Sequence, residues 1–165
     1  MVQKLIIDTD PGIDDAMAIH MAFADARIEV VGLTTIFGNV TTKQATRNAL
    51  HLSQMAHYPV DVAHGADRPL TRDPHPPADF VHGPEGFGGL PAPDVETAPD
   101  PRDAARYLCE TCAAAPGEII ICAVGPLTNL AAALALDPDI TRNAARVVVM
   151  GGSALGSSKK TPRIG

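Results

Sequence analysis

Residues 5–16 read Leu-Ile-Ile-Asp-Thr-Asp-Pro-Gly-Ile-Asp-Asp-Ala. Leu5–Ile7 is an apolar run of strand length that delivers Asp8 and Asp10 to its carboxyl end. Pro11-Gly12 then turns the chain, and Asp14 and Asp15 open an apolar helical pattern. Four carboxylates within eight residues repel one another unless something positive sits among them. A hard divalent cation meets that need, because it prefers oxygen ligands and tolerates several carboxylates.

Outward from this stretch, strand-length apolar runs alternate with helical patterns. Leu5–Asp8 reads as the first strand and Asp14–Asp25 as a helix apolar nearly all round, which predicts burial between layers. Ile28–Ile36, rich in β-branched residues, is the second strand. A helix follows from Thr41 to about Met55, opened by the capping pattern Thr41-x-x-Gln44, and a short strand at Val60–Ala63. Residues 64–100 hold most of the prolines and show little periodicity, so they read as a long irregular excursion. Asp100-Pro101 predicts a cap and a first helical residue, with the helix running to Pro116-Gly117. Glu118–Val124 is a buried strand, Pro126–Leu136 a helix, and Arg146–Met150 a further strand. This alternation implies an α/β fold, an open, mostly parallel sheet with helices on both faces. Ligands bind at the carboxyl ends of the strands in such sheets, and Asp10, Asn39, Val124 and Met150 fall at or just after those ends.

Composition narrows the class. With 45% apolar and 19% charged residues, 165 residues suffice for one globular domain with a core. No apolar run reaches the length of a transmembrane helix, and the amino terminus lacks a secretory pattern, so a cytoplasmic protein is expected. A net charge of −6 without a basic cluster speaks against nucleic acid or membrane partners. Cys109 and Cys112 have Cys-x-x-Cys spacing, but they sit in a helical pattern with only Cys122 as a further thiol, which favours a packing role over zinc. His20, His51 and His57 lie on or beside helix patterns and read as structural or exposed, while His64 and His75 carry no readable signal. Thr128-Asn129 reads as a local helix cap.

The carboxylates suggest a division of labour. Asp14 and Asp15 project about 100° apart on a helix, so one suits a metal and the other a substrate. A cation held by Asp10 and Asp15 would acidify a bound water, with Asp10 placed to take its proton.

Taken with later blocks, Asp8-Thr-Asp-Pro-Gly-Ile-Asp-Asp-Ala16 resembles the amino-terminal signature of the inosine-uridine-preferring nucleoside hydrolases. The blocks Thr34-Thr-Ile-Phe-Gly-Asn39, Thr46-Arg-Asn48, His82-Gly-Pro-Glu-Gly-Phe-Gly-Gly89, Gly125-Pro-Leu-Thr-Asn129 and Val147-Val-Val-Met-Gly-Gly152 follow in the family's order, from residue 4 to about 156. The resemblance implies calcium-dependent hydrolysis of the N-glycosidic bond of ribonucleosides, serving nucleoside salvage or catabolism, by a protein that forms homo-oligomers. It implies that Asp10 is the general base and, with Asp15, a calcium ligand, and that the Val124 backbone carbonyl also faces the ion. Asp14 is implied to hold ribose hydroxyls with Asn39 beside it, Met150 to line the ribose pocket, and His82 to lie in a mobile loop near the base.

Family members are longer, and this chain departs from them at the tail. Residues 153–165 diverge, with Lys159 about where an asparagine is expected and Arg163-Ile164-Gly165 in place of an acidic block. The family's last aspartate ligand and a base-proximal histidine lie beyond that point. Read so, residues 1–165 form one incomplete domain whose activity is impaired. Two other readings follow: a non-catalytic or degenerate fragment with residual metal binding, and an aspartate-nucleophile phosphohydrolase of the haloacid-dehalogenase type using Asp8 of Asp8-Thr-Asp10.

Overall fold

The computed structural model describes residues 2–151; the divergent tail at 153–165 lies outside them. In chain order the elements are β1 (Gln3–Thr9), α1 (Ile13–Ala24), β2 (Ile28–Thr35), α2 (Thr42–Met55), β3 (Val62–His64), α3 (Asp79–His82), α4 (Ala104–Ala114), β4 (Ile119–Ala123), α5 (Thr128–Leu136), α6 (Ile140–Asn143) and β5 (Arg146–Val149). Among the described residues the sheet has five strands in the order β3-β2-β1-β4-β5, and every pairing is parallel. The α/β sheet expected from the sequence is therefore present. β1 is central, the chain winds outward through β2 and β3, and it then returns to β1's other side for β4 and β5. That reversal puts the topological switch point at the carboxyl ends of β1 and β4, where open α/β sheets bind ligands.

Strand alternation sends neighbouring residues to opposite faces. Ile6 and Ala63 join Tyr107, Leu108, Cys112 and Ile121 on one face, against α4, α5 and α6. Ile7 and Val62 join Ile19, Leu33, Ala49 and Leu52 on the other, against α1 and α2. β2 has one register shift against β1, between Leu5/Val30 and Ile6/Gly32. The Tyr107 hydroxyl donates to the carbonyl of the extra residue, Val31, at 2.8 Å. The tyrosine ring covers Gly32, where a Cβ would collide with it.

Several boundaries differ from the sequence reading. α4 starts at Ala104 with Asp103 as its cap, the Asp103 side chain accepting from the Arg106 amide at 2.8 Å. Asp100 instead accepts from the Arg102 amide and guanidinium and bridges to Ala63 beside β3, so its carboxylate is already committed before the helix begins. α1 is not buried all round: Ile19 and Ala22 face the sheet, while Met17 and Met21 are 71% and 74% exposed. Its one-sided packing reflects its place in an outer layer. The 64–100 stretch contains the short helix α3. Cys109 and Cys112 are buried and unbridged in the α4 core. No helix among the described residues is long and apolar enough to cross a membrane.

Gly32→Ala forces the buried Tyr107 ring and β2 apart. We expect a loss of about 1–3 kcal/mol, read as a lower urea midpoint at unchanged slope.

Candidate functional site

The site begins where β1 ends. Asp10 follows the strand directly and is 4% exposed. Its Oδ2 accepts from the Asn39 amide at 2.6 Å. Glycines stand on both sides of it: a Cβ at Gly38 would strike its Oδ2, and one at Gly125 would lie 2.9 Å from its Oδ1. The loops after β2 and β4 thus close on this carboxylate because they carry no side chains there. Burial, and then the negative charge of Asp15 and Asp14, push the Asp10 carboxyl up to about 8.

Asp15 lies in the first turn of α1 and is buried. Its Oδ1 accepts from the Thr9 hydroxyl at 2.6 Å, and its Oδ2 from the Asn39 side-chain amide at 2.9 Å. Asn39 therefore holds both carboxylates, one through its backbone and one through its side chain. Asp14, a residue earlier on the helix, points outward, with its side chain 70% exposed. The helix geometry separates the two, Asp15 inward onto Thr9 and Asn39 and Asp14 outward beside His82.

Val124 is fixed by its own amide, which donates to the Asp8 carbonyl at 2.8 Å, placing the Val124-Gly125 peptide beside Asp10. His82, the last residue of α3, is buried; its Nδ1 accepts from the Ile13 amide at 3.3 Å and lies 3.8 Å from Asp14 Oδ1. The structure thus brings Asp10, Asp14, Asp15, Asn39, Val124 and His82 to one end of the sheet. Met150 follows β5, one strand beyond β4, with its amide donating to the Ala123 carbonyl at 2.8 Å and its side chain exposed.

Beneath the site lies a polar network that the sequence reading did not foresee. Asp8 is 0% exposed; its Oδ1 accepts from the Thr34 hydroxyl at 2.6 Å and the Asn129 amide at 2.7 Å, while its Oδ2 is buried with no partner among the described residues. Burial pushes this carboxyl up to about 6 against the pull of both donors. Asn129 also donates to the Thr35 carbonyl at 3.0 Å and accepts from the Ala66 amide at 2.9 Å. It is not a local helix cap: it ties the ends of β1 and β2 to the segment after β3. The available signal was Asp8 itself, a carboxylate inside a strand with no adjacent donor. Its complete burial also removes it as a phosphohydrolase nucleophile, which a substrate must reach.

The oxygen donors suit a hard cation. Asp10 and Asp15 are both buried, and neither forms an ion pair with Lys, Arg or His among the described residues. No group of three or more His, Cys, Asp or Glu side chains converges at metal-binding distance among the described residues.

Asn129→Ala deletes two donors and one acceptor inside this network. We expect about 1–3 kcal/mol of destabilisation from the unpaired buried groups, measurable by chemical denaturation.

Comparison with known proteins bears on the fold and the family. The sequence model of the family described as inosine-uridine preferring nucleoside hydrolase matches residues 5–163. Uridine nucleosidase 1 of Arabidopsis thaliana is 48% identical over 92% of this chain and 45% of its own length. A plant nucleoside hydrolase structure superposes with a TM-score of 0.88 at 44% identity, covering 93% of this chain and 49% of that one. A purine-preferring ribonucleoside hydrolase from Gardnerella vaginalis gives 0.87 at 32% identity, covering 92% and 49%. The chain spans about half the length of the relatives it matches. With its strand-end aspartates, its glycine-flanked Asp10 and its all-parallel sheet, the chain belongs to the inosine-uridine preferring nucleoside hydrolase family.

Proposed function

We propose that this chain carries the water-activating and ribose-holding part of a calcium-dependent ribonucleoside N-glycosidase, which cleaves the bond between ribose and base with water. The observation that carries the reading is Asp10: a buried carboxylate at the topological switch point, paired across Asn39 with Asp15 and cleared on both sides by Gly38 and Gly125. Burial and the neighbouring carboxylates push the Asp10 carboxyl up to about 8, so it needs positive charge beside it to be ionised and accept a proton from water. Asp10, Asp15 and the Val124 carbonyl would hold the ion. Bound there, calcium would supply that charge and lower the pKa of water in its shell.

The remaining roles rest on the family resemblance, with position in support. Asp14 reaches outward from α1 to accept from ribose hydroxyls, with Asn39 alongside. As the glycosidic bond breaks, the ribose gains oxocarbenium character, and the carboxylates at the end of β1 stabilise it. His82 flanks Asp14 from the glycine-rich segment and would face the base, and Met150, one strand further out, would line the ribose pocket. The whole protein acts as a homo-oligomer in nucleoside salvage or catabolism.

A second reading is cation binding without turnover: Asp10 and Asp15 share Asn39, but no group of three or more His, Cys, Asp or Glu side chains converges among the described residues, where calcium takes six to eight oxygens. Calorimetric titration of calcium into the purified chain, together with ribose release from inosine and uridine, separates the two. Ribose release that falls on the order of 1,000-fold in Asp10→Ala, with loss of calcium binding, is the expected result. Calcium binding without ribose release selects the second reading, and absence of both rejects each. Asp14→Ala is expected to weaken nucleoside binding roughly 10- to 100-fold, the worth of a hydrogen bond to a charged group, while calcium affinity changes little.

A further inference from the structure

Helix α1 carries Asp14 and Asp15, and the only local side-chain contact to its amino-terminal amides among the described residues is the Gly12 amide donating to Asp15 Oδ2 at 3.4 Å. The capping position is Gly12, which has no side chain to offer the exposed amides of the first turn. The Ile13 amide is satisfied instead from 69 residues away, by Nδ1 of His82 at 3.3 Å. A Cβ at position 12 would fall 2.6 Å from that nitrogen and 2.9 Å from Cγ of the ring. Ser, Thr, Asp or Asn at Gly12 would therefore expel His82.

His82 is itself held on three sides. The Ala78 amide, at the start of α3, donates to the Asn39 carbonyl at 3.1 Å. Beyond the ring, the Gly88 amide donates to the His82 carbonyl at 2.7 Å, and Glu85 pairs with Arg47 of α2 at 2.8 Å. Asn48 of α2, fully buried, donates to the Glu85 carbonyl at 2.9 Å and to the Pro11 carbonyl at 3.0 Å. These contacts close a circuit: Asp10 and Asp15 to Asn39, Asn39 to Ala78, Ala78 through α3 to His82, and His82 back to Ile13 beside Asp14.

We propose that His82 is a positioning residue, the long-range cap that sets the first turn of α1 and with it Asp14 and Asp15. A backbone amide only donates, so the nitrogen that accepts from Ile13 carries no proton in this arrangement. Nδ1 is thus unavailable to hand a proton to a leaving base. The consequence for a bound ion rests on the function proposed above; the cap itself does not.

Two readouts on the purified chain test this with His82→Ala and His82→Asn. Asparagine keeps an acceptor, Oδ1, one bond from Cγ as Nδ1 is, without the ring. Amide exchange measured without calcium should accelerate at Ile13 and at Ala16, whose amide donates to the Gly12 carbonyl, in His82→Ala and return toward wild type in His82→Asn. Calcium affinity by calorimetry should fall roughly tenfold in His82→Ala, the worth of a helix cap, and recover in His82→Asn, although neither variant touches a candidate ligand. Unchanged exchange in His82→Ala, or His82→Asn behaving like His82→Ala, overturns the proposal. So does accelerated exchange with undiminished calcium affinity. If the wild-type chain binds no calcium, the function proposed above fails, and the exchange comparison alone decides whether His82 is the cap.

Discussion

The architecture turns on placing like charges out of water at the end of one strand. Asp8, Asp10 and Asp15 are all buried within the span of β1's last turns and the start of α1. Burying an ionised carboxylate is costly unless donors or opposite charge compensate it. The surrounding structure supplies neutral donors: the Asn39 amide and side chain, the Thr9 and Thr34 hydroxyls, and Asn129. They come from β1, β2, the loop after β2, and α5, so the site exists only when the parallel sheet has brought those segments together. The residual imbalance stays visible in Asp10, whose carboxyl remains far above its ordinary value.

That constraint explains the glycines around the site better than turn geometry does. Gly12, Gly38 and Gly125 each stand where a side chain would strike a functional group, the His82 ring in the first case and Asp10 in the other two. Close backbone approach lets polar main-chain groups surround a carboxylate without a layer of hydrocarbon between them. Packing on the two faces of the sheet is ordinary by comparison: β-branched and aliphatic residues alternate into two clusters divided by β1.

Much of this was legible locally. The strand-turn-helix run from Leu5 to Ala16 predicts where Asp10, Asp14 and Asp15 stand, because strand alternation and helical twist are short-range geometry. Boundaries were weaker where two caps competed: Asp100-Pro101 looks like a helix start, but Asp100 is taken by Arg102 and the cap falls to Asp103. Met17 and Met21 were misread as buried because periodicity reports polarity and not how many layers cover a helix. Asn129 looked like a cap because its partners Asp8, Thr35 and Ala66 lie far from it in sequence.

The sequence by itself determined the α/β class, the strand-end placement of the carboxylates and the family, since each depends on patterns within a few turns of chain. Only the tertiary structure decided which groups compensate those charges: Asn39 bridging two aspartates, Asn129 under Asp8, Asn48 between the Pro11 turn and the glycine segment, and His82 on the amino terminus of α1. These are single hydrogen bonds between residues 24 to 121 positions apart. No local preference encodes such pairings; they follow from the order in which the parallel strands lie side by side.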